Sequence, residues 1–380
     1  MVAPEQPTPQ DNFRVLTIDG GGIKGVYTSH MLAAIESQLC PGKSIGRYFD
    51  MICGTSTGSI IAVALASGKT AQEIAEAYDK LGPKVFPSEG RLRAKWRGLK
   101  SAVWSAKYDP SPLLESLELL TEGRRFSEAM NYLCIPVTVA NTAHPRVYRT
   151  RHSRMHSWPD CRLADIAVAS AAAPTYFPLV PTPAFADPET HYADGGLFAN
   201  NPSLVGLMES FKIFVGEKSE RNSHQHVDVL SFGSFPSPGI FTIPPHFANK
   251  AKVKEEHDKL LTRWRSKSGL HWMNPFPKGP PLVSVVLDAQ AMHTAWVVKD
   301  MQKFTPGFRR YVRLDALNNK VRATPIDSLT GLQIDDASPH AMRTMASRGK
   351  EDGLVAASEP DVRAFFHAAI QPIQLTNIET

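Results

Sequence analysis

The sequence predicts an α/β fold in which strands alternate with helices. Two segments carry this prediction, because each has an apolar strand, a glycine-rich turn and a helical pattern in that order. The first is the strand Phe13–Ile18 with the turn Asp19–Gly22, and the second is the strand Tyr48–Cys53 with the turn Gly54–Gly58 and the apolar helix Ser59–Ala66. The 380 residues, 42% of them hydrophobic and 21% charged, suffice for one large domain or two smaller ones.

Further elements follow along the chain. Thr70 and Glu73 predict a capping box at the start of a helix that Gly82-Pro83 is expected to end. The later predicted elements are helix Asp109–Leu120, strands Ile135–Ala140 and Arg146–Arg149, helix Leu163–Ala172, strand Thr190–Ala193, a helix from Pro202, strands Val227–Phe232 and Leu282–Leu287, helix Ala289–Gln302, strand Arg310–Leu314 and a helical tail from Ser338.

Several classes of protein are excluded by composition. No stretch approaches 18 uncharged apolar residues, so no transmembrane helix is predicted. The first residues lack the basic and apolar regions of a secretory signal, and residues 1–12 are predicted to be a disordered tail. The four cysteines have no metal-ligand spacing, which favours reduced thiols in a cytoplasmic protein and predicts no metal site.

The strongest chemical signal is the GxSxG pattern of residues 54–58. Ser56 lies between an apolar strand and an apolar helix, where a tight turn exposes a nucleophilic hydroxyl at the edge of a sheet. Gly54 and Gly58 permit that turn, and the N-terminus of the following helix adds positive partial charge. The alternative is a glycine-rich turn with an incidental serine.

A second signal is the glycine run Gly20, Gly21 and Gly22, followed by Lys24 and Gly25. Successive glycines allow backbone N–H groups to converge on an anion, which in acyl transfer is the tetrahedral intermediate. The same residues satisfy GxGxxG and so also suggest a dinucleotide-binding oxidoreductase. The acidic residue that this second reading needs at the end of the next strand is missing, because Glu36 falls in a helix and Asp50 at a strand start.

A third signal is Asp194 with Gly195 and Gly196. A serine nucleophile needs a base within hydrogen-bonding reach, and partial burial raises the pKa of a carboxylate and makes it a better base. The two glycines permit a turn that directs the aspartate at the site. Alone this motif is weak, and its weight comes from the other two.

The three segments together resemble the patatin-like phospholipase family. The resemblance covers about residues 13–210, and segments between the three motifs also resemble the family. The agreeing segments are Tyr48-Phe49-Asp50, Ala171-Ala172-Ala173-Pro174 with Tyr176-Phe177-Pro178, and Asn200-Asn201-Pro202.

The resemblance implies a three-layer α/β/α fold with a mostly parallel central sheet. It implies a catalytic Ser56–Asp194 dyad without histidine or cofactor, an oxyanion hole at Gly20–Gly22, and hydrolysis of acyl esters in membrane lipids. Lys24 stands where many members have arginine. Residues 13–210 would form the catalytic core, and residues 211–380 would complete the sheet and add a lid or cap and a helical extension.

Some bacterial members of this family are antiphage effectors that a cyclic oligonucleotide switches on. The resemblance extends to them and implies such an activator and a cytoplasmic protein that acts peripherally at a phospholipid membrane. A homo-oligomer is an assembly that the sequence leaves open. No polymeric nucleic acid is expected as a partner.

The sequence is also compatible with two other functions. A Ser–His–Asp hydrolase would need a histidine after Asp194, and the candidates are His224, His226 and His293. A storage protein that keeps the fold with little activity is the non-catalytic alternative.

Basic segments suggest further contacts. The stretch Arg91–Lys107, with Trp96 and Trp104, suits either an anionic membrane or an ordinary surface helix. The cluster from Arg146 to His156 suits a phosphate or solvated charge. The segment Lys250–Lys267 reads as an exposed helix, and Trp264 and Trp272 are candidates for a lid over the acyl pocket.

Overall fold

The computed structural model describes residues 10–86, 106–153, 160–181, 189–235, 281–316 and 334–373. Their strands are β1 (Gln10–Ile18), β2 (Met51–Gly54), β3 (Tyr132–Val139), β4 (His144–Arg149), β5 (Val180–Pro181), β6 (His191–Asp194), β7 (His224–Phe232) and β8 (Phe308–Leu314). Their helices are α1 (Gly25–Leu39), α2 (Thr57–Ala66), α3 (Ala71–Val85), α4 (Ser111–Thr121), α5 (Leu163–Ser170), α6 (Gly196–Ala199), α7 (Ser203–Ile213), α8 (Pro281–Phe304), α9 (Pro339–Ser358) and α10 (Pro360–Arg363).

The eight strands form one mixed, mostly parallel sheet. Hydrogen-bonded neighbours follow the order β5-β6-β3-β2-β1-β7-β8, and β4 pairs with β3 as well. The pairs β1–β2, β1–β7, β2–β3 and β7–β8 are parallel, whereas β4, β5 and β6 pair antiparallel. The carboxyl ends of the parallel strands therefore meet at one end of the sheet, which is where α/β folds place their sites.

The register brings the ends of β2 and β6 together. Cys134 of β3 pairs with both Cys53 and Arg149, and Val137 pairs with both Arg146 and Asp194. Because β4 occupies one edge of β3 at both positions, β2 and β6 share the opposite edge. They run in opposite directions along it, so Gly54 and Asp194, their last residues, face each other.

Both faces of the sheet are covered, which makes the fold three-layered. In β1, Leu16 and Ile18 pack in one core with helices α1, α2, α3, α5 and α9. Phe13 and Val15 point to the other face and pack in a second core with α7 and α8. Strands buried on both faces read as continuous apolar runs, and this pattern identified them in the sequence. The predicted α/β/α class is confirmed.

Several element predictions were wrong in part, including the start of the predicted strand Tyr48–Cys53, since Tyr48 ends a 3₁₀ helix and β2 begins at Met51. Strand β1 begins at Gln10, so residues 10–12 belong to the sheet and not to the tail. The helix expected to end at Gly82-Pro83 continues to Val85, so Pro83 lies within its last turn, where Leu81, Gly82 and Val85 are buried. Residues Leu282–Leu287 are helical, not a strand: their β-branched run favours strand locally, and the tertiary contacts of α8 override that preference.

In the described segments, no helix combines the length and the apolar character that crossing a bilayer would require.

A buried ion pair ties the last strand to the first glycine turn. Asp19 directly follows β1, and its carboxylate accepts hydrogen bonds from Arg313 of β8, one of them at 2.8 Å. The Asp19 side chain is 2% exposed and that of Arg313 is 15% exposed. Arg313 also donates to Ser231 of β7, so the pair crosses the strand that separates β1 from β8.

We predict that Arg313→Met destabilises the protein by about 3–5 kcal/mol, because it leaves the carboxylate of Asp19 buried without its cation. The midpoint of urea unfolding measures this. Lys303→Met is the control, since its ion pair with Asp300 is exposed and should contribute less than about 1 kcal/mol. Equal losses in both variants would contradict the prediction.

Candidate active site

Ser56 occupies a strained turn between β2 and α2. Its backbone angles are φ 53° and ψ −122°, a region that non-glycine residues enter at a cost of roughly 1–3 kcal/mol. The turn is fixed by its neighbours: Thr55 donates its hydroxyl to the carbonyl of Ala199 at 2.6 Å, and its N–H to Ile18 at 3.2 Å. Strain of this kind is typical of a nucleophile elbow.

The two glycines of the GxSxG pattern are required by close backbone approach. A Cβ on Gly54 would lie 2.1 Å from the carbonyl oxygen of Gly58. A Cβ on Gly58 would in turn lie 2.2 Å from the carbonyl oxygen of Ile18. Any side chain at either position would force the elbow away from β1, and this explains the spacing seen in the sequence.

Asp194 lies at the end of β6 and faces Ser56. Burial raises the pKa of its carboxyl to about 6, opposed by hydrogen bonds from the Ser56 side chain and from the N–H of Gly196, the latter at 2.6 Å. The aspartate backbone is also held, since its N–H donates to Ala172 at 2.9 Å and its carbonyl accepts from Thr138 at 2.9 Å. A Cβ on Gly195 would lie 2.1 Å from the Pro136 carbonyl, so glycine is required beside the aspartate.

Ser170, at the end of α5, connects the turn of Ser56 to the turn that follows Asp194. Its role was not predicted from the sequence. Its hydroxyl donates to the carbonyl of Pro136 at 2.7 Å and accepts the N–H of Ser56 at 3.0 Å. Its own carbonyl accepts the N–H of Gly195 at 3.2 Å. A lone buried serine in a small-residue helix carries no signal in a single sequence, because its role depends on the sheet.

The glycine run lies beside the hydroxyl of Ser56. A Cβ on Gly20 would lie 3.2 Å from the Cβ of Ser56. The N–H of Gly20 is already engaged, because it donates to the carbonyl of Asn200 at 2.9 Å. Gly22 has φ +58°, and a Cβ there would meet the Ile334 carbonyl at 2.2 Å. In the described part of the chain, no backbone hydrogen bond engages the N–H of Gly21 or Gly22. Of the three predicted donors, these two are therefore available to an oxyanion.

Lys24 and Gly25 follow the glycine run and are buried against neighbouring elements. The Lys24 side chain is buried, and burial lowers its pKa to about 8 while the nearby carboxylate of Asp288 opposes the change. Gly25 begins α1, where a Cβ would lie 2.2 Å from the hydroxyl oxygen of Thr57. The basic residue of the motif thus faces α8 rather than solvent.

An apolar pocket opens at Ser56 and Asp194. Its lining combines the glycine loop with side chains of helices α2, α3 and α4, the segment after α5, and Leu287 of α8. The apolar side chains include Ile60, Tyr78, Leu81, Val85, Leu113, Tyr176 and Phe177. Such a lining accommodates an alkyl chain and keeps the carboxylate out of water.

Helix α8 holds the loop that follows Asp194. Gln290 donates its amide to the carbonyl of Phe198 at 2.9 Å, and Asn201 donates to Ala291 at 3.2 Å. Asn200 donates to the carbonyl of Leu287 at 3.2 Å. The loop that follows Asp194 is therefore attached to an element more than 80 residues further along the chain.

The alternative readings lose support from this geometry. No histidine of the described residues lines the pocket. His224 and His226 pair with Gln10 and Asn12 at the start of β1, which is the other end of the sheet. Asp50 accepts the N–H of Arg14 at 2.7 Å, also at the start of the strands. It is therefore not placed as the ribose-binding acid of a dinucleotide site.

Most of the basic segments lie outside the described residues, including 87–105, 154–159 and 250–267. Within the described part, Arg149 and His152 both contact Glu209, at 3.1 and 3.0 Å, and the His152 side chain is fully buried. This part of the second cluster is a buried charge network rather than a solvated face. The ring Nδ1–H of His191 donates to the carbonyl of Glu189 at 2.9 Å, and the residue lies near the surface.

Comparison with known proteins identifies the family of this chain. The family profile described as Patatin-like phospholipase matches residues 16–205. A "cGAMP-activated phospholipase" of Escherichia coli is 30% identical over 96% of both chains, and one of Vibrio cholerae is 29% identical over 92% of both. "Patatin-like protein 2" of Oryza sativa is 29% identical over 88% of this chain and 82% of its own. The chain therefore belongs to the patatin-like phospholipase family.

Proposed function

We propose that the protein is a phospholipase of the A type, with Ser56 as nucleophile and Asp194 as general base. The observation that carries this proposal is that Ser56 and the buried carboxylate of Asp194 both line one apolar pocket, where Ser56 lies close enough to lower the pKa of that carboxyl. A serine and a base in contact form an acyl-transfer site, and an apolar pocket selects a fatty-acyl ester over a polar one.

In the proposed acylation step, the Ser56 hydroxyl attacks the acyl carbonyl carbon and its proton passes to Asp194. The N–H groups of Gly21 and Gly22 stabilise the oxyanion, assisted by the N-terminus of α1. Collapse of the intermediate breaks the ester C–O bond, and the proton on Asp194 passes to the leaving alkoxide. The products are a lysophospholipid and an acyl-Ser56 ester, which water then hydrolyses.

The environment explains how a carboxylate alone serves as the base. An aspartate with an ordinary pKa near 4 is too weak to accept a proton from a hydroxyl, and burial raises the pKa of Asp194 to about 6. The N–H of Gly196 donates to Oδ1 of Asp194 and so holds the carboxylate in place beside Ser56. No third side chain is needed to orient the base, because its backbone is fixed on both sides.

We predict that Ser56→Ala and Asp194→Asn each lower the release of fatty acid from phospholipid liposomes by at least about 10³-fold, since each removes one partner of the proton transfer. Ser67→Ala is the matched control. Ser67 follows the last residue of α2, at the end of the helix opposite Ser56. The substitution removes a buried hydroxyl that donates to the carbonyl of Val63, and it should leave the rate unchanged. Activity retained in either dyad variant would contradict the assignment.

The raised pKa of Asp194 sets the pH dependence. The base must be ionised to accept a proton, so activity should be lost as the pH falls through about 6 rather than through 4. The profile of kcat/KM for a soluble p-nitrophenyl ester measures this without interference from membrane charge. An acidic limb near pH 4, or a flat profile, would show that another group is the base.

Activation by a cyclic oligonucleotide is part of the proposal. Relatives named as cGAMP-activated phospholipases match this chain almost end to end, so the segments of the activated proteins have counterparts here. Helix α8 offers a route for such control, because it contacts the catalytic loop through Leu287, Gln290 and Ala291. A ligand that shifts α8 would move Asn200, whose carbonyl accepts the N–H of Gly20, and would thereby alter the glycine loop. When active, the enzyme would act peripherally at the bilayer surface.

Assay with a panel of cyclic di- and trinucleotides tests this. We expect one nucleotide to raise fatty-acid release, and to stabilise Ser56→Ala by about 2.7 kcal/mol at a concentration of 100 Kd, because binding to the native state alone stabilises it. Ser56→Ala separates binding from turnover. Equal release with and without every nucleotide, and no stabilisation by any, would indicate a constitutive enzyme.

A further inference from the structure

Asn200 lies where the glycine loop, the turn after Asp194 and helix α8 meet. It is 4% exposed and lines the apolar pocket. Its backbone carbonyl accepts the N–H of Gly20 at 2.9 Å, and its side-chain Nδ2 donates to the carbonyl of Leu287 at 3.2 Å. Since a carbonyl oxygen can only accept, this contact fixes which end of the amide faces α8.

The other end of the amide, Oδ1, therefore faces the catalytic groups. It is buried, and no donor of the described chain reaches it. It lies 2.3 Å from the position that a Cβ on Gly20 would take, and 3.1 Å from that of a Cβ on Gly196. The Asp194 Oδ1 lies 2.9 Å from that second position. Two acceptor oxygens thus converge on one small region beside Ser56.

A buried acceptor without a donor is destabilising, and native structures pair nearly all such groups, so an unpaired one indicates a ligand that donates a hydrogen bond. The acceptor is unsuited to an oxyanion, because two negative oxygens repel each other, and the donors for that role are at Gly21 and Gly22. A pair of acceptors suits a molecule that donates two hydrogens. Water does so, and deacylation of the proposed acyl-enzyme requires one.

We propose that Asn200 positions the hydrolytic water for deacylation of acyl-Ser56, an inference that rests on the proposed phospholipase function. The water donates one hydrogen to Asp194 and the other to Oδ1 of Asn200, which leaves a lone pair directed at the acyl carbon. The water oxygen attacks that carbon, and Asp194 takes the first proton. The bond between the acyl carbon and the Ser56 oxygen then breaks, the proton passes to that oxygen, and the fatty acid leaves with the second hydrogen.

This role separates the two half-reactions. Acylation needs no water, so it should proceed in Asn200→Ala at close to the wild-type rate. Deacylation should slow about 10²-fold, the typical cost of misplacing a reacting group by an ångström. Stopped-flow kinetics with a p-nitrophenyl ester would then show a larger burst followed by a slow steady state, and intact-mass spectrometry would show acylated Ser56 accumulating.

Two further variants guard against a purely structural effect. Asn200→Leu keeps the side-chain volume and removes the acceptor, so it should show the same burst as Asn200→Ala. Asn201→Ala is the matched control: Asn201 is equally buried and also donates to α8, but its Oδ1 accepts the N–H of Ser203 and it does not line the pocket. It should show wild-type partitioning between the two steps.

The outcomes are distinct. An equal fall in both half-reactions of Asn200→Ala would overturn the water-positioning role, and so would the same burst in Asn201→Ala, which would point to anchoring of α8. If the wild type releases no acyl product under any condition, the proposed function itself fails, and this proposal fails with it. A burst confined to the Asn200 variants, relieved by added hydroxylamine as an alternative nucleophile, is the expected result.

Discussion

The meeting of β2 and β6 along one edge of β3 is the constraint on which the candidate site depends. One strand arrives parallel to β3 and the other antiparallel, so their last residues face each other across a short gap. Ser170 and Gly195 fill that gap against the carbonyl of Pro136. Backbone hydrogen bonding therefore sets the distance between the serine and the aspartate, and no flexible side chain has to reach across the sheet.

The second constraint is the close approach of backbones around the elbow. Gly58 lies against the end of β1, Gly54 lies against Gly58, and Thr55 is bonded to both β1 and α6. This packing stabilises a φ of 53° at Ser56 that the residue would not adopt alone. Strain at Ser56 is thus maintained by contacts that span the three motifs, and loosening any of them would relax it.

The C-terminal half of the chain contributes to the site as well as to the sheet. Arg313 neutralises Asp19 at the start of the glycine loop, the Ile334 carbonyl receives the N–H of Ile23, and α8 anchors the loop from Phe198 to Asn201. These contacts come from residues far beyond the segment that the family profile matches. The same contacts give any ligand that acts on α8 a direct physical connection to the catalytic loop.

The sequence by itself determined the α/β class, the three motifs and their order, because glycine spacing and apolar runs are local properties of the chain. It placed Ser56, Asp194 and the glycine run, and their roles in catalysis stay predictions for experiment. Only the tertiary structure decided the rest. Ser170 and Asn200 have ordinary local surroundings, and their significance arises from residues 34 and 87 positions away. The helical state of Leu282–Leu287 was decided in the same way, because these residues belong to α8, whose packing against α6, α7 and β8 outweighs the local strand preference of valines that stay exposed.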